Sequence, residues 1–262
     1  MSAVNAADAM AAEPPGLKPR HLRRPHWPPL NRGLLIAAAG FLTAATTLAT
    51  LVHLGAIHGL DRRVLIGLQS RASGAQDVAL SIFAYLGSVE VTLLVALVLI
   101  LPLFKGLRLL SGLPALVVLI ASGVEALGKT LVRQPVPDAA YQRFPGFLPT
   151  LGQFKAGSYS FPSGHVLRAT IVFGLILYLA ERWRLFGRDA ERLSPILLLV
   201  PLLMAYTVLY LGWHWFSDAA GGLLLGLGML LPVIALLERN RLVVPDGPPR
   251  SGGAAAQDRY PG

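Results

Sequence analysis

The chain has 262 residues and a formal charge of +9; 54% of its residues are hydrophobic and 14% are charged. A soluble domain carries about 25% charged residues, so this composition excludes an ordinary soluble protein and predicts an integral membrane protein. The absence of cysteine excludes disulfides, thiolate catalysis and cysteine-ligated metal sites. The length accommodates one bundle of about six spans, each of about 20 apolar residues.

Apolar stretches and polar tails divide the chain into three parts. Residues 1–32 are rich in Pro, Ala and Arg, and residues 239–262 are rich in Pro, Gly and Ala, so both predict disordered cytoplasmic tails. Between them, residues 33–238 predict an all-α membrane domain, a bundle of six transmembrane helices. The six spans are expected over about residues 33–57, 78–104, 109–132, 163–181, 195–213 and 216–237. Residues 61–73 predict an amphipathic helix at the membrane interface.

The distribution of Lys and Arg predicts the orientation of this bundle. With the amino terminus inside, 15 of the 23 basic residues lie on the inner side, seven lie on the outer side, and Arg168 falls within a span. The positive-inside rule therefore favours cytoplasmic termini. Since the charge follows topology, we expect no nucleic-acid partner. We expect a multi-pass protein of the inner (plasma) membrane whose candidate site faces the periplasmic or extracellular side.

A proline-serine-glycine-histidine run, residues 162–165, stands at the start of the fourth span. Proline is favoured in the first turn of a helix, and Ser163 and Gly164 leave backbone N–H groups free at a positive helix end. Phosphate fits such an end. The alternative is an ordinary helix cap followed by an incidental interfacial histidine.

A histidine and an aspartate four residues apart, His214 and Asp218, stand at the junction of the fifth and sixth spans. On a helix they would share a face, so the carboxylate could hold the imidazole Nδ1–H and leave Nε2 free for a substrate. That arrangement suits a nucleophile or a base. A buried structural pair is the alternative.

On the third span, Glu125, Lys129 and Arg133 recur every four residues and predict one polar stripe. The functional interpretation is that Lys129 and Arg133, at the outer helix end, neutralise a bound oxyanion. Internal neutralisation of the Glu125–Lys129 pair is the alternative.

These runs resemble the type 2 phosphatidic acid phosphatases, which are related to vanadium-dependent haloperoxidases and bacterial acid phosphatases. Three motifs of that family occur in order over about residues 129–218, and the middle one, residues 161–165, is specific. The resemblance implies that His214 attacks phosphorus and forms a phosphohistidine while Asp218 orients it. It implies that His165 protonates the leaving oxygen and then activates water.

The resemblance also implies a phosphate cradle, with Lys129, Ser163 and Gly164 contacting the phosphate oxygens and no metal or other cofactor required. The chain departs from the family pattern at two positions that normally hold arginine, which here are Val136 and Val208.

Two other arginines, Arg133 and Arg168, lie near the motifs. A cation inside a membrane helix is unfavourable unless it faces a polar cavity or a partner, so we hypothesise that both supply the missing positive charge. A structural salt bridge from Arg168 to Glu90 or Glu125 is the alternative.

The sequence as a whole favours a lipid phosphate phosphatase, a hydrolase of phosphoric monoesters or diphosphates, or a phosphotransferase of the same chemistry. Expected substrates are phospholipid or polyprenyl phosphates of the bilayer: phosphatidic acid, phosphatidylglycerophosphate, or a polyprenyl phosphate or diphosphate such as undecaprenyl diphosphate. The alternative is a catalytically impaired relative that binds or moves an anionic lipid. The two valines motivate that alternative, whereas the intact His165, His214 and Asp218 oppose it.

Overall fold

The computed structural model describes residues 29–106, 110–143, 159–182 and 190–241. Within these ranges the chain forms nine α-helices, and the only strand-like pairing is an isolated bridge between Pro135 and Tyr159. The helices are α1 (Arg32–His53), α2 (His58–Gln69), α3 (Gly74–Ala84), α4 (Val89–Val98), α5 (Ile100–Gly106), α6 (Leu113–Val132), α7 (Gly164–Arg182), α8 (Ala190–Tyr210) and α9 (Phe216–Arg241). Most of both predicted tails, residues 1–28 and 242–262, lies outside the described residues, and α9 extends past the predicted tail boundary.

Among the described residues, five helices are long and apolar enough to cross a membrane: α1, α6, α7, α8 and α9. A sixth candidate consists of two helical segments, Gly74–Gly87 and Val89–Phe104, which meet at an angle of 51°. The prediction of an all-α fold is confirmed.

The second predicted span is bent rather than straight, and the bend lies at Gly87 and Ser88. Ser88 has an extended backbone, with φ −65° and ψ 158°, and its Oγ accepts the Val91 N–H at 3.3 Å. The serine therefore caps the start of α4 instead of continuing α3. Hydropathy alone does not detect such a cap, because Ser88 is a single polar residue in an apolar stretch.

The amphipathic stretch predicted over residues 61–73 forms α2 as far as Gln69; residues 70–73 lie outside this helix, and Ser73 caps the start of α3. Leu65 is fully buried, whereas Arg62 and Arg63 are exposed, as the apolar and polar faces of such a helix require. Asp61 departs from this pattern because it is fully buried.

The core of the bundle lies along α7, which packs against α6, α8 and α9. Leu167 and Leu175 of α7 are fully buried in an apolar cluster with residues of α6 and α9. Close approach of α7 and α9 depends on two glycines of α9. A Cβ on Gly222 would lie 2.7 Å from the Ser163 carbonyl oxygen, and a Cβ on Gly226 would lie 2.6 Å from Thr170 Cβ. These glycines therefore bring the starts of the two helices together.

Candidate active site

A tight turn between α8 and α9 positions His214. Gly212 adopts φ +70°, a left-handed conformation that favours glycine, and its Cα lies against the Tyr141 carbonyl. The N–H groups of Trp213 and His214 both donate to the Val208 carbonyl, at 3.0 and 3.2 Å. His214 therefore precedes α9 rather than lying on it, and its place is set by backbone bonds to the end of α8.

The structure brings His214 and Asp218 together across the first turn of α9. His214 Nδ1 lies 3.3 Å from Asp218 Oδ2, and the same oxygen accepts the Trp215 N–H at 2.8 Å. Asp218 is fully buried and His214 is nearly so. A carboxylate held in this way orients the imidazole through Nδ1 and leaves Nε2 available for chemistry.

The start of α7 is joined directly to this turn. The Ser163 N–H donates to the Asp218 carbonyl at 3.0 Å, and Ser163 is fully buried. Among the described residues, the Ser163 hydroxyl has no hydrogen-bond partner. A buried polar atom without a protein partner is uncommon, so this hydroxyl is a candidate contact for a bound oxyanion.

A half-buried carboxylate, Glu125 of α6, pairs with two cations. Lys129 Nζ lies 2.8 Å from Glu125 Oε1, and Arg168 Nη1 donates to Glu125 Oε2. Arg168 is almost fully buried, and its Nε also donates to the Gly87 carbonyl at 3.2 Å, at the bend before α4. The carboxylate lies directly against Gly164, at the amino-terminal end of α7. Glu125 therefore holds both cations beside the amino-terminal end of α7.

Arg133 lies apart from this cluster. It ends α6 in a left-handed conformation with φ 58°, its side chain is exposed, and its Nε donates to the Thr130 carbonyl at 3.1 Å. The prediction that Arg133 continues the polar stripe of Glu125 and Lys129 is therefore wrong, because α6 ends at Val132 and Arg133 does not lie on its face.

His165 lies in the first turn of α7 and is half-buried. Its ring centroid is 5.8 Å from that of Trp213, and its backbone packs against Gly87, where a Cβ would lie 2.8 Å from the His165 carbonyl oxygen. The bend at Gly87 thus supports both His165 and Arg168.

The two valines singled out from the sequence, Val136 and Val208, have different surroundings. Val208 is fully buried in an apolar cluster with Val166, Ala169 and Met204, whereas 37% of Val136 is exposed. A charged side chain at position 208 would have to enter the packed core, whereas one at position 136 could reach the surface.

Sequence reasoning missed one buried polar cluster beside the site. Asp61 of α2 accepts the Ser217 N–H at 2.8 Å, and Ser217 immediately precedes Asp218. An amphipathic helix is expected to expose its charged residues, so the pattern of α2 predicted that Asp61 would face solvent. Nothing in the sequence indicated that Asp61 is buried, apart from its position next to Arg62 and Arg63.

Comparison with known proteins places this arrangement in a family. The sequence pattern of the PAP2 superfamily matches residues 111–242, half of the chain. The chain belongs to the PAP2 superfamily. The match contains the motifs from Lys129 to Asp218 and begins after α5.

Two relatives of the PAP2 superfamily illustrate the similarity. The phosphatidylglycerophosphatase B of Bacillus subtilis (strain 168) is 32% identical over 84 residues, which are 32% of this chain and 40% of that protein. A crystal structure described as a transmembrane PAP2-type phosphatidylglycerolphosphate phosphatase from Bacillus subtilis superposes with a TM-score of 0.63 at 21% identity. That superposition covers 77% of this chain and 96% of the other. The described residues contain five or six helices that are long and apolar enough to cross a membrane, so the chain is a multi-pass membrane protein of this fold.

Proposed function

We propose that the protein is a lipid phosphate phosphatase or phosphotransferase that works through a phosphohistidine on His214. The observation that carries this proposal is the buried His214–Asp218 pair, joined to the start of α7 by the bond from Ser163 to the Asp218 carbonyl. A protein that only binds anions does not need an oriented imidazole beside a second histidine.

In the first step, His214 Nε2 attacks the phosphorus atom of the substrate while Asp218 holds Nδ1–H. The N–P bond forms as the bond between phosphorus and the leaving oxygen breaks. His165 donates its proton to that oxygen, so the lipid leaves as an alcohol from a monoester or as a phosphate from a diphosphate.

In the second step, His165 takes a proton from water, and the resulting hydroxide attacks phosphorus as the N–P bond breaks. Inorganic phosphate leaves and His214 returns to its starting state. If a lipid or glycan hydroxyl replaces water, the same step transfers the phosphoryl group.

The phosphate cradle is proposed to consist of Lys129, Ser163, the Gly164 N–H and Arg168. The joint position of Lys129 and Arg168 around Glu125, next to Gly164, supports this set. Arg168 would supply positive charge that Val208 does not. The exposed Arg133, bound to its own helix, is a less direct contributor.

The proposed substrates are lipid phosphates of the bilayer, with phosphatidylglycerophosphate first among them because a curated relative is a phosphatidylglycerophosphatase. Phosphatidic acid and polyprenyl diphosphates share the same reacting group. We place the site at the outer face of the inner membrane, in a six-span bundle with cytoplasmic termini, because this topology agrees with the distribution of Lys and Arg.

The proposal is tested by phosphate release from a panel of lipid phosphates in detergent, comparing native protein with His214→Ala. We expect native protein to release phosphate and the variant to lose at least about 1,000-fold in kcat, since a nucleophile is indispensable. Brief exposure to substrate labelled with ³²P should label one native peptide, the one containing His214. Equal rates for the two proteins would refute the enzymatic proposal.

A second candidate function, binding or moving an anionic lipid without turnover, is favoured by Val136 and Val208, because fewer cations then stabilise the charge of the transition state. This function predicts saturable binding of phosphatidic acid vesicles by native protein and by His214→Ala alike, with no phosphate released by either.

A further inference from the structure

A buried carboxylate of α2 is linked to residues around all three sequence motifs. Asp61 is fully buried; its Oδ1 accepts the Ser217 N–H at 2.8 Å, and its Oδ2 accepts the Ser217 hydroxyl at 2.7 Å. The Gln134 amide nitrogen donates to Asp61 Oδ2 and to Ser217 Oγ, both at 3.1 Å. We call Asp61, Gln134 and Ser217 the Asp61 network.

The network holds the first turn of α9, where backbone N–H groups lack partners within the helix. Two carboxylates share these groups. Asp218 takes the N–H of Trp215, and Asp61 takes the N–H of Ser217. Asp61 thereby fixes the turn in which Asp218 faces His214.

Gln134 connects the same network to the other two motifs. It follows the end of α6, which carries Lys129, and its carbonyl accepts the Ser160 N–H at 2.8 Å and the Ser160 hydroxyl at 3.2 Å. Ser160 precedes the run that starts α7 with Ser163. A displacement of Gln134 would therefore shift both the end of α6, which carries Lys129, and the start of α7, which carries Ser163.

We propose that Asp61 is a positioning residue for phosphoryl transfer, which keeps Asp218 aligned with His214 Nδ1 without touching the substrate. This inference rests on the proposed function. An ionised carboxylate accepts all three hydrogen bonds of the network, while the two amide hydrogens of Gln134 go to Asp61 and Ser217.

The carboxylate has an unfavourable effect on stability. Burial raises the pKa of Asp61 above its usual 3.8, and the charge of Asp218 adds to the rise, although hydrogen bonds from Ser217 and Gln134 oppose it. The folded protein then binds a proton more readily than the unfolded chain, so the stability contribution of this group falls as pH rises through the raised pKa. At pH 7 the neutral Asp61→Asn variant is therefore expected to unfold at the same temperature as native protein or higher.

The test compares Asp61→Ala and Asp61→Asn with Asp138→Asn, a matched variant of an exposed aspartate whose side chain caps nothing. Four quantities are measured: kcat and KM for phosphatidylglycerophosphate in detergent micelles, the unfolding temperature, and hydrogen–deuterium exchange of the peptide over residues 213–218. For Asp61→Ala we expect kcat to fall about 100-fold, as for a small misplacement of catalytic groups, with KM unchanged and faster exchange in that peptide. Asp61→Asn keeps an oxygen acceptor for Ser217, so it should lose less activity without a lower unfolding temperature.

Unchanged kcat in Asp61→Ala, or exchange equal to that of Asp138→Asn, would overturn the inference. If Asp61→Ala does not fold, Gln134→Ala and Ser217→Ala are tested in its place, because each weakens the Asp61 network while the backbone bond from Ser217 to Asp61 remains. Unchanged kcat, or exchange equal to that of Asp138→Asn, in both variants would then overturn the inference. If native protein and His214→Ala both release no phosphate, the proposed function fails, and a normal exchange rate in Asp61→Ala would separately refute the hold on α9.

Discussion

Arg168 is the residue whose surroundings most alter the expectation for the site. It is almost fully buried, bonded to Glu125 and to the Gly87 carbonyl, and three residues beyond His165. The sequence offered a phosphate clamp or a structural salt bridge, and the structure shows the salt bridge to Glu125. The two roles are compatible because the pair lies against Gly164, where the phosphate is proposed to bind.

Replacing Arg168 with Ala should therefore reduce phosphate release by about 100- to 1,000-fold, the usual effect of losing one oxyanion contact, and should weaken inhibition by vanadate. Arg168→Lys should retain part of the activity because it keeps the charge without the planar fork. Arg63→Ala, which removes an exposed arginine of α2, serves as the control. Normal folding, phosphate release and vanadate inhibition in Arg168→Ala would refute the clamp.

At the scale of elements, sequence spacing predicted contacts within one turn but not those between distant helices. Glu125 and Lys129 are four residues apart on α6, so helical periodicity predicted their proximity. His214 and Asp218 are also four residues apart and do meet, although His214 precedes α9 and does not share a helical face with Asp218. The bond from Arg168 to Glu125 spans 43 residues and that from Ser217 to Asp61 spans 156. Such contacts depend on how α2, α6, α7 and α9 pack, and no local pattern encodes that packing. Helical periodicity likewise did not predict that α6 ends at Arg133 in a left-handed conformation.

The packing of α7 on α9 yields a test at this scale. A Cβ on Gly222 would lie 2.7 Å from the Ser163 carbonyl oxygen, a backbone atom that cannot rotate away, so Gly222→Ala should separate Ser163 from Asp218. We expect about a 100-fold loss of kcat, as for a misplacement of about 1 Å. Gly40→Ala in α1 is the matched control, because nothing lies within 4 Å of its new Cβ, and it should be neutral or stabilising by up to about 1 kcal/mol. Full activity in Gly222→Ala would show that the helix starts tolerate separation.

At the scale of the whole molecule, the proposed topology determines which side of the membrane meets the substrate. Both candidate histidines, the network of Asp61 and the end of α6 lie at one end of the bundle, on the same side as the segment after Lys129. Composition predicted the helical membrane fold, because apolar stretches of sufficient length have few alternatives. Hydropathy could not predict the bend in the second span, which arises from one serine cap.

The lack of native cysteine makes this topology directly measurable. A membrane-impermeant maleimide applied to spheroplasts should label Asp138→Cys, which we place outside. Arg188→Cys, in the segment between α7 and α8, should be labelled only after the membrane is permeabilised. The reverse pattern would invert the proposed orientation and move the site to the cytoplasm.

The bond between Ser163 and Asp218 also means that α7 and α9 start at the same point and run side by side in the same direction. Each helix carries the equivalent of about half a positive elementary charge at its start. At α9 this charge faces the carboxylates of Asp61 and Asp218, so the charge at the start of α7 is the part left for a phosphate. This charge belongs to main-chain atoms, does not titrate, and persists whatever side chains evolution places at positions 136 and 208. The proposed site therefore keeps a main-chain attraction for phosphate that substitution of the side chains at these two positions does not remove.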